Sequence, residues 1–261
     1  MSPVPEGHAV HRHARRLAKA FASECVDVSS PQGRFADGAA LVDGSRVVGA
    51  EAYGKHLFVE FEGNRTMHVH LGLYGRWAFG REAPEPRGQV RVRIRTDSAY
   101  ADLRGPSACE VFTDDEVAAA VARIGPDPIR RDADPERAWH RVTRSRTPIA
   151  TMLMDQSVFA GVGNIYRAEV LFRSGLDPMA PASALPRETF DGVWDDLVHL
   201  MRAGVRSGRI VTTEADDRWV GPHYVYKRQG EDCLRCGGEV AWGDLAGRTL
   251  YWCPSCQDGP G

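Results

Sequence analysis

Four cysteines near the C-terminus fall in two tight pairs, Cys233-x2-Cys236 and Cys253-x2-Cys256, with sixteen residues between them. Each pair can grip one metal from a tight turn. Four thiolates fill a tetrahedral Zn²⁺ shell and leave no position for a catalytic water, so one structural zinc per chain is expected, holding a fold and not performing chemistry. Two disulfides or a redox dithiol pair would use the same residues, but the doubled motif and its spacing favour zinc. Gly238–Trp242 and Gly247–Trp252, between the pairs, have the pattern of two short strands, so the module reads as a zinc-clamped β-hairpin. Cys25 and Cys109 stand alone and read as small buried hydrophobes, not nucleophiles.

A second place for chemistry is the stretch from Gln156 to Arg167. A helix ends, Gly161 and Gly163 turn the chain, and Asn164 is expected to cap a new helix. Glycines let a backbone approach a ligand closely, and a fresh helix start offers N–H groups and a favourable dipole, a combination suited to phosphate. An ordinary helix–helix turn has the same local signature.

The rest of the chain must position these groups. Its 261 residues suit two modest domains, and 43% hydrophobic with 26% charged residues is the composition of a soluble globular protein. No signal peptide or membrane span is expected, and reduced thiols fit a cytoplasmic setting. The net charge of −2 argues against a uniformly basic nucleic-acid binder but is compatible with a basic face.

From Pro5 a helix is predicted, with Val10, Ala14, Leu17 and Phe21 on one stripe and a basic back. Between Val26 and Phe112 the period shortens to two: Leu57, Val59 and Phe61 alternate with polar residues, as do Val90, Val92 and Ile94 with Arg91, Arg93 and Arg95. Short strands broken by Gly, Asp and Asn predict an antiparallel β-sandwich capped by the first helix. A helix over Asp114–Ile124 closes this part, and Gly125-Pro126-Asp127-Pro128 cannot continue it. Beyond lie predicted helices at Pro135–Val142, Pro148–Gln156, Asn164–Ser174 and Pro186–Val205. Thr212 to Pro222 is polar and reads as a mobile loop. The expected fold class is α+β, divided as 1–124 (β-sandwich), 125–135 (linker), 136–222 (helical) and 223–261 (ribbon).

Five ordered motifs give the chain a family resemblance. Leu153-Met154-Asp155-Gln156 through Gly161-Val162-Gly163-Asn164-Ile165-Tyr166 resembles the helix-two-turn-helix of the formamidopyrimidine-DNA glycosylase and endonuclease VIII family. Tyr251-Trp252-Cys253-Pro254-Ser255-Cys256-Gln257 is similar to its zinc finger, and Pro5-Glu6-Gly7 to its N-terminal signature. Gly54-Lys55-His56-Leu57 and His70-Leu71-Gly72-Leu73-Tyr74-Gly75 resemble two further motifs in the right order.

The resemblance implies a DNA glycosylase and abasic-site lyase of base excision repair. The implied nucleophile is the amine of Pro5, which expels the damaged base through an iminium intermediate before β- and δ-elimination. An α-amino group titrates near ~8 against ~10.4 for lysine, so far more of it is unprotonated at neutral pH. Glu6 is the implied acid and base, and Lys55 the lysine at the lesion phosphate. Leu73 and Tyr74 match the wedge that fills the stack after base flipping, Asn164 and Arg248 the phosphate contacts, and Arg104 a residue facing the orphaned base. Double-stranded DNA carrying oxidised bases or abasic sites is the implied partner, held in the cleft between domains by a monomer in the cytoplasm, at the nucleoid.

The chain departs from the family pattern in three places. Met1-Ser2-Pro3-Val4 precede Pro5, and a proline nitrogen inside an amide is not a nucleophile. Translation from position 4, with removal of the initiator, would free it. Ala9 stands where many members carry a second glutamate. Pro106 follows Gly105 where the formamidopyrimidine branch has an Arg-x-Phe wedge, so Leu73-Tyr74 leans toward the endonuclease VIII branch and oxidised pyrimidines. The alternative is a damaged-DNA-binding protein on the same scaffold that does not cut. A ribbon serving only protein contacts would leave Lys55, Asn164 and Arg248 without a common purpose.

Overall fold

A computed structural model describes residues 5–214 and 221–258. The expectation concerning Met1–Val4 therefore lies outside the described residues. The chain divides into two compact units, Met1–Arg123 and Ile124–Gly261.

The first unit opens with α1 (Gly7–Phe21), whose stripe of Val10, Ala14, Leu17 and Phe21 is buried. Two four-stranded antiparallel sheets follow. One has the order β1 (Asp27–Ser29), β6 (Val90–Arg95), β7 (Tyr100–Arg104), β5 (Arg76–Gly80). The other runs β2 (Val47–Tyr53), β3 (His56–Phe61), β4 (Arg65–His70), β8 (Ala108–Phe112). Val92, Ile94, Ala101 and Leu103 from the first sheet share one core with Leu57, Val59, Phe61, Met67 and Val69 from the second. The period-two alternation has this cause, since each strand gives one face to that core. A helix the periodicity does not announce, α2 (Ala36–Val42), buries only Ala39 and Val42, too few apolar positions to signal itself.

Cys25 corrects an expectation. It is exposed, on the connection from α1 to β1 where it bridges Arg46, whereas Cys109 on β8 is half-buried and burial pushes its thiol up to about 12. The helix expected to reach Ile124 is α3 (Asp114–Ala122), begun by a capping box between Thr113 and Glu116.

The second unit holds α4 (Pro135–Val142), α5 (Ile149–Met152), α6 (Asn164–Arg173) and α7 (Arg187–Ser207), then the hairpin β9 (Ala241–Leu245) and β10 (Arg248–Trp252). The helix predicted over Pro148–Gln156 is shorter than expected. After Met152 the chain breaks into turns, because Asp155 spends its carboxylate on the Ser157 N–H and hydroxyl. The loop expected to be mobile is stitched at its stem: Thr212 N–H donates to Pro222 O at 2.9 Å, and Thr213 Oγ1 to Gly221 O at 2.9 Å. Both threonines are buried, and positions 215–220 of that loop lie outside the described residues. Among the described residues no helix is long and apolar enough to cross a membrane.

Burial marks four histidines of the first unit. His8, His13, His56 and His68 are each lowered to about 4, by burial first and then by neighbouring imidazoles or arginines. The unfolded chain binds these protons near 6.5, so it takes up more protons than the folded chain between pH 6.5 and 4. The folded state is therefore expected to lose stability as pH falls through that window. A thermal melt series from pH 7.5 to 4.5 checks this: Tm should fall steadily, and His13→Phe, which keeps the stack on Phe79, should flatten the slope. A pH-independent Tm would contradict it.

Candidate nucleic-acid interface and metal centre

Pro5 is half-buried, and Glu6 beside it is the N-cap of α1 with only 3% of its surface exposed. Its side chain does not cap the helix. Lys55 occupies the two-residue turn between β2 and β3, where Tyr53 pairs with His56 and Gly54 takes φ 58°. Its charge reaches His70, whose pKa is lowered by burial and then by Lys55. A row of imidazoles runs along the same sheet face. His56 Nδ1 lies 2.9 Å from His68 Nε2, and His70 Nδ1 lies 2.8 Å from Ser107 Oγ. The Gly72 N–H also lies 3.2 Å from His70 Nδ1, which draws the loop after β4 onto that imidazole.

Leu73 and Tyr74 form the tip between β4 and β5 and are 54% and 79% exposed. Large apolar side chains this bare are held out by the backbone beneath them. A Cβ on Gly75 would meet Leu71 O at 2.2 Å, and one on Gly105 would meet Tyr74 O at 3.1 Å, so two loops press together through glycine. Arg104 is turned aside from solvent. Its Nη2 donates to Asp102 Oδ2 at 3.0 Å, and that buried carboxylate also takes a two-point grip from Arg93 at 2.7 and 2.9 Å.

In the second unit the two-turn segment is pinned by Gln156. Its Oε1 accepts from Gly161 N–H at 3.0 Å, and its Nε2 donates to Met154 O and Val162 O. Gly163, not Asn164, is the N-cap of α6. Asn164 is the first helical residue, and its side chain is engaged elsewhere: Nδ2 donates to Thr249 O on β10 at 2.9 Å, while Oδ1 accepts from Arg167. Arg248 is exposed at the start of β10, beyond a hairpin turn in which Ala246 and Gly247 both have positive φ.

The four cysteines come together. Cys233 Sγ and Cys256 Sγ are 3.8 Å apart, Cys236 Sγ and Cys253 Sγ 3.5 Å, and all four sulfurs lie within 4.8 Å of one another. Four thiolates at ~2.3 Å from a tetrahedral ion sit about 3.8 Å apart, so the cluster fits a zinc-sized cation. Backbone N–H groups of Arg235 and Gly238 point at Cys233 and Cys236 Sγ, as suits sulfurs carrying negative charge. The strands of the hairpin start later than predicted, at Ala241 and Arg248, because Cys233 N–H pairs with Gly238 O and closes a tight knuckle before β9.

Two charged residues of α6 escape a reading by motif. Arg167 and Glu169 are 1% and 0% exposed. Glu169 accepts the N–H groups of Tyr224, Val225 and Tyr226 at 2.7, 2.8 and 2.8 Å, and the Thr212 hydroxyl. The available signal is their place in a segment otherwise apolar all round, Ile165 to Phe172, where a charge must have a buried partner.

A sandwich whose first helix starts just after a buried glutamate, followed along the chain by a two-turn helical unit and a four-cysteine ribbon, defines a class of DNA-repair protein. The comparisons name it. Residues 4–109 match the formamidopyrimidine-DNA glycosylase N-terminal domain, and residues 124–216 the formamidopyrimidine-DNA glycosylase H2TH domain. The chain is 48% identical over 267 residues to Endonuclease 8 1 of Mycobacterium tuberculosis, covering 97% of this chain and 100% of that protein. It is 30% identical over 264 residues to Endonuclease 8 of Pectobacterium atrosepticum, covering 97% and 100%. The fold of Lactococcus lactis Fpg, solved in complex with abasic-site DNA, superposes with a TM-score of 0.82 at 22% identity over 97% of this chain and 99% of that one. The chain belongs to the formamidopyrimidine-DNA glycosylase and endonuclease VIII family, on its endonuclease VIII-like side.

Glu169 is expected to carry much of the second unit's stability. Glu169→Gln leaves at most one acceptor oxygen for four donors, and each orphaned buried donor costs about 1–3 kcal/mol. Denaturant unfolding should show a loss of about 3 kcal/mol or more. A loss below about 1 kcal/mol would mean that the Tyr224–Tyr226 backbone finds other partners.

Proposed function

We propose that this chain is a bifunctional DNA glycosylase and abasic-site lyase that removes oxidised pyrimidines from double-stranded DNA in the cytoplasm. The observation that carries the reading is the pair at the head of α1: a half-buried Pro5 beside a carboxylate, Glu6, kept 3% exposed and not used as a helix cap. Similarity along 97% of the chain to proteins named Endonuclease 8 supports the chemistry, and Leu73-Tyr74 with Pro106 after Gly105 supports the pyrimidine preference. The match to the family's N-terminal domain from residue 4 supports Pro5 as the residue that reacts.

In this reading the Pro5 nitrogen lone pair attacks C1′ of the damaged nucleotide. The glycosidic bond breaks, and the base leaves with its electron pair and takes up the proton that the attacking amine gives up. Glu6 delivers a proton to O4′ as the C1′–O4′ bond breaks and the nitrogen lone pair forms the iminium. The carboxylate so formed then takes a C2′ proton, whose C–H electrons flow toward the iminium as the 3′ phosphate leaves, and a second elimination along the conjugated chain releases the 5′ phosphate. Lys55, on its turn beside His70, holds the phosphate at the lesion. Leu73 and Tyr74 enter the stack in place of the extruded nucleotide, and Arg104 faces the base left behind, released from Asp102 or reaching past it. Asn164 and Arg248 hold backbone phosphates. Cys233, Cys236, Cys253 and Cys256 hold one Zn²⁺, which supplies no chemistry and shapes the ribbon that carries Arg248.

Borohydride trapping tests the nucleophile. Protein beginning at Pro5 should form a covalent adduct with duplex containing an oxidised pyrimidine. Protein keeping Met1 on an acylated Pro5 should bind the same duplex without trapping. Glu6→Gln should lose base excision while retaining some cleavage at a preformed abasic site. Equal trapping by unprocessed full-length protein would remove Pro5 as the nucleophile, and absence of trapping by both forms would favour a damage-binding protein that does not cut.

A further inference from the structure

Arg167 is among the largest fully buried side chains of the protein, and it lies at the first turn of α6. Its Nη2 donates to two acceptors, Asn164 Oδ1 and, at 3.1 Å, Thr249 O. Asn164 Nδ2 donates to the same Thr249 carbonyl at 2.9 Å. Three groups thus close a ring of three hydrogen bonds: a guanidinium, a side-chain amide and a strand carbonyl.

The ring has a chemical consequence for the amide. Flipping Asn164 would set its NH2 against the guanidinium, donor to donor, and its oxygen against the Thr249 carbonyl, acceptor to acceptor. Arg167 and Thr249 therefore lock one orientation. In that orientation one Nδ2 hydrogen is spent on Thr249 and the other is aimed away from the ring. Thr249 is the neighbour of Arg248, so the same carbonyl that fixes the amide also fixes the strand position from which Arg248 projects. A guanidinium one turn from the start of α6 further adds buried positive charge beneath the helix's N-terminal end, where an anion would sit.

We infer that Arg167 is a positioning residue for DNA binding: it locks Asn164 and the β10 backbone together so that the α6 amide and Arg248 meet successive phosphates as one rigid pair. This rests on the reading of Asn164 and Arg248 as phosphate contacts. Arg167 itself touches no DNA. Its work is to remove the rotational freedom of Asn164 and the independent motion of the hairpin, a cost that would otherwise be met at binding.

A double-mutant cycle on the whole, metal-loaded protein separates the inference from the reading beneath it. Duplex affinity, zinc content and single-turnover rate at saturating DNA are measured for wild type, Asn164→Ala, Arg167→Met and the double variant. Asn164→Ala and Arg167→Met should each weaken binding about tenfold, as expected for loss of one charge-assisted contact. The double variant should be little worse than either single one, because both act through one amide. Arg167→Met should lose far more in affinity than in rate at saturating DNA, the split expected of a residue that acts through a binding contact and not on the reacting atoms. Arg167→Lys, which keeps the charge without the planar fork, should fall between wild type and Arg167→Met.

If Asn164→Ala leaves affinity unchanged, the phosphate reading itself fails. If Asn164→Ala weakens binding and Arg167→Met does not, or the two effects add, the inference fails while the reading stands. Should Arg167→Met lose zinc or fold, Arg167→Lys takes its place in the cycle. Loss of zinc or fold in Arg167→Lys as well would make Arg167 a purely structural residue and overturn the inference.

Discussion

The grip of α6 on the ribbon is the constraint from which the second unit's architecture follows. A hairpin of two five-residue strands cannot bury enough surface to fold alone. Its small core is shared: Val240, Tyr251, Cys233 and Cys253 pack with Ala168 and Phe172 of α6 and with Tyr224 and Val225. Polar pins set the register of that packing. Glu169 draws in the backbone of 224–226, Asn164 and Arg167 hold Thr249, and Gln257 ties the second cysteine pair to Leu176 O. Apolar burial supplies most of the free energy and little direction, so the direction comes from hydrogen bonds that must each be satisfied once water is excluded.

The first unit solves a different problem, that of holding charged and large apolar side chains at turns without letting them collapse into the sandwich. Its core is made by inward faces of two sheets, which leaves turn residues such as Lys55 and the Leu73-Tyr74 tip outside it. The tip is supported from below, where Gly75 allows a backbone contact too close for any side chain and Gly105, at positive φ, packs tightly on the Tyr74 carbonyl. Asp102 serves similarly under Arg104, its charge already balanced by Arg93, so that the arginine is anchored by a carboxylate with a second partner. Preorganisation of this kind lowers the ordering cost of binding.

Much of this was legible from residues alone, for reasons that differ by element. The clustering of the four cysteines was readable because residues at that fixed spacing are a local signal, and α1 because Val10, Ala14, Leu17 and Phe21 keep a helical period. The strands were readable because one face of each meets the shared core. The helix at Pro148 was overextended because propensity does not register Asp155 turning its carboxylate onto the next turn. Asn164 was misplaced as a cap because its side chain answers to Thr249, 85 residues on in sequence, and no local pattern carries that distance. Cys25 was misjudged because burial of a small side chain depends on which connection it occupies. Arg167 and Glu169 were visible as letters, but their partners belong to the ribbon and its approach.

The central claim is that four thiolates hold one zinc and that this metal keeps the DNA-contacting edge of the second unit in register with α6. Metal removal tests it most directly. Protein purified without chelator should contain one zinc per chain. After chelation, duplex affinity should fall sharply while the circular dichroism of the β-sandwich persists, because loss of the metal unfolds only the ribbon and with it the seats of Arg248 and Thr249. Protein without stoichiometric metal, or metal-free protein that binds duplex as tightly as before, would contradict the account.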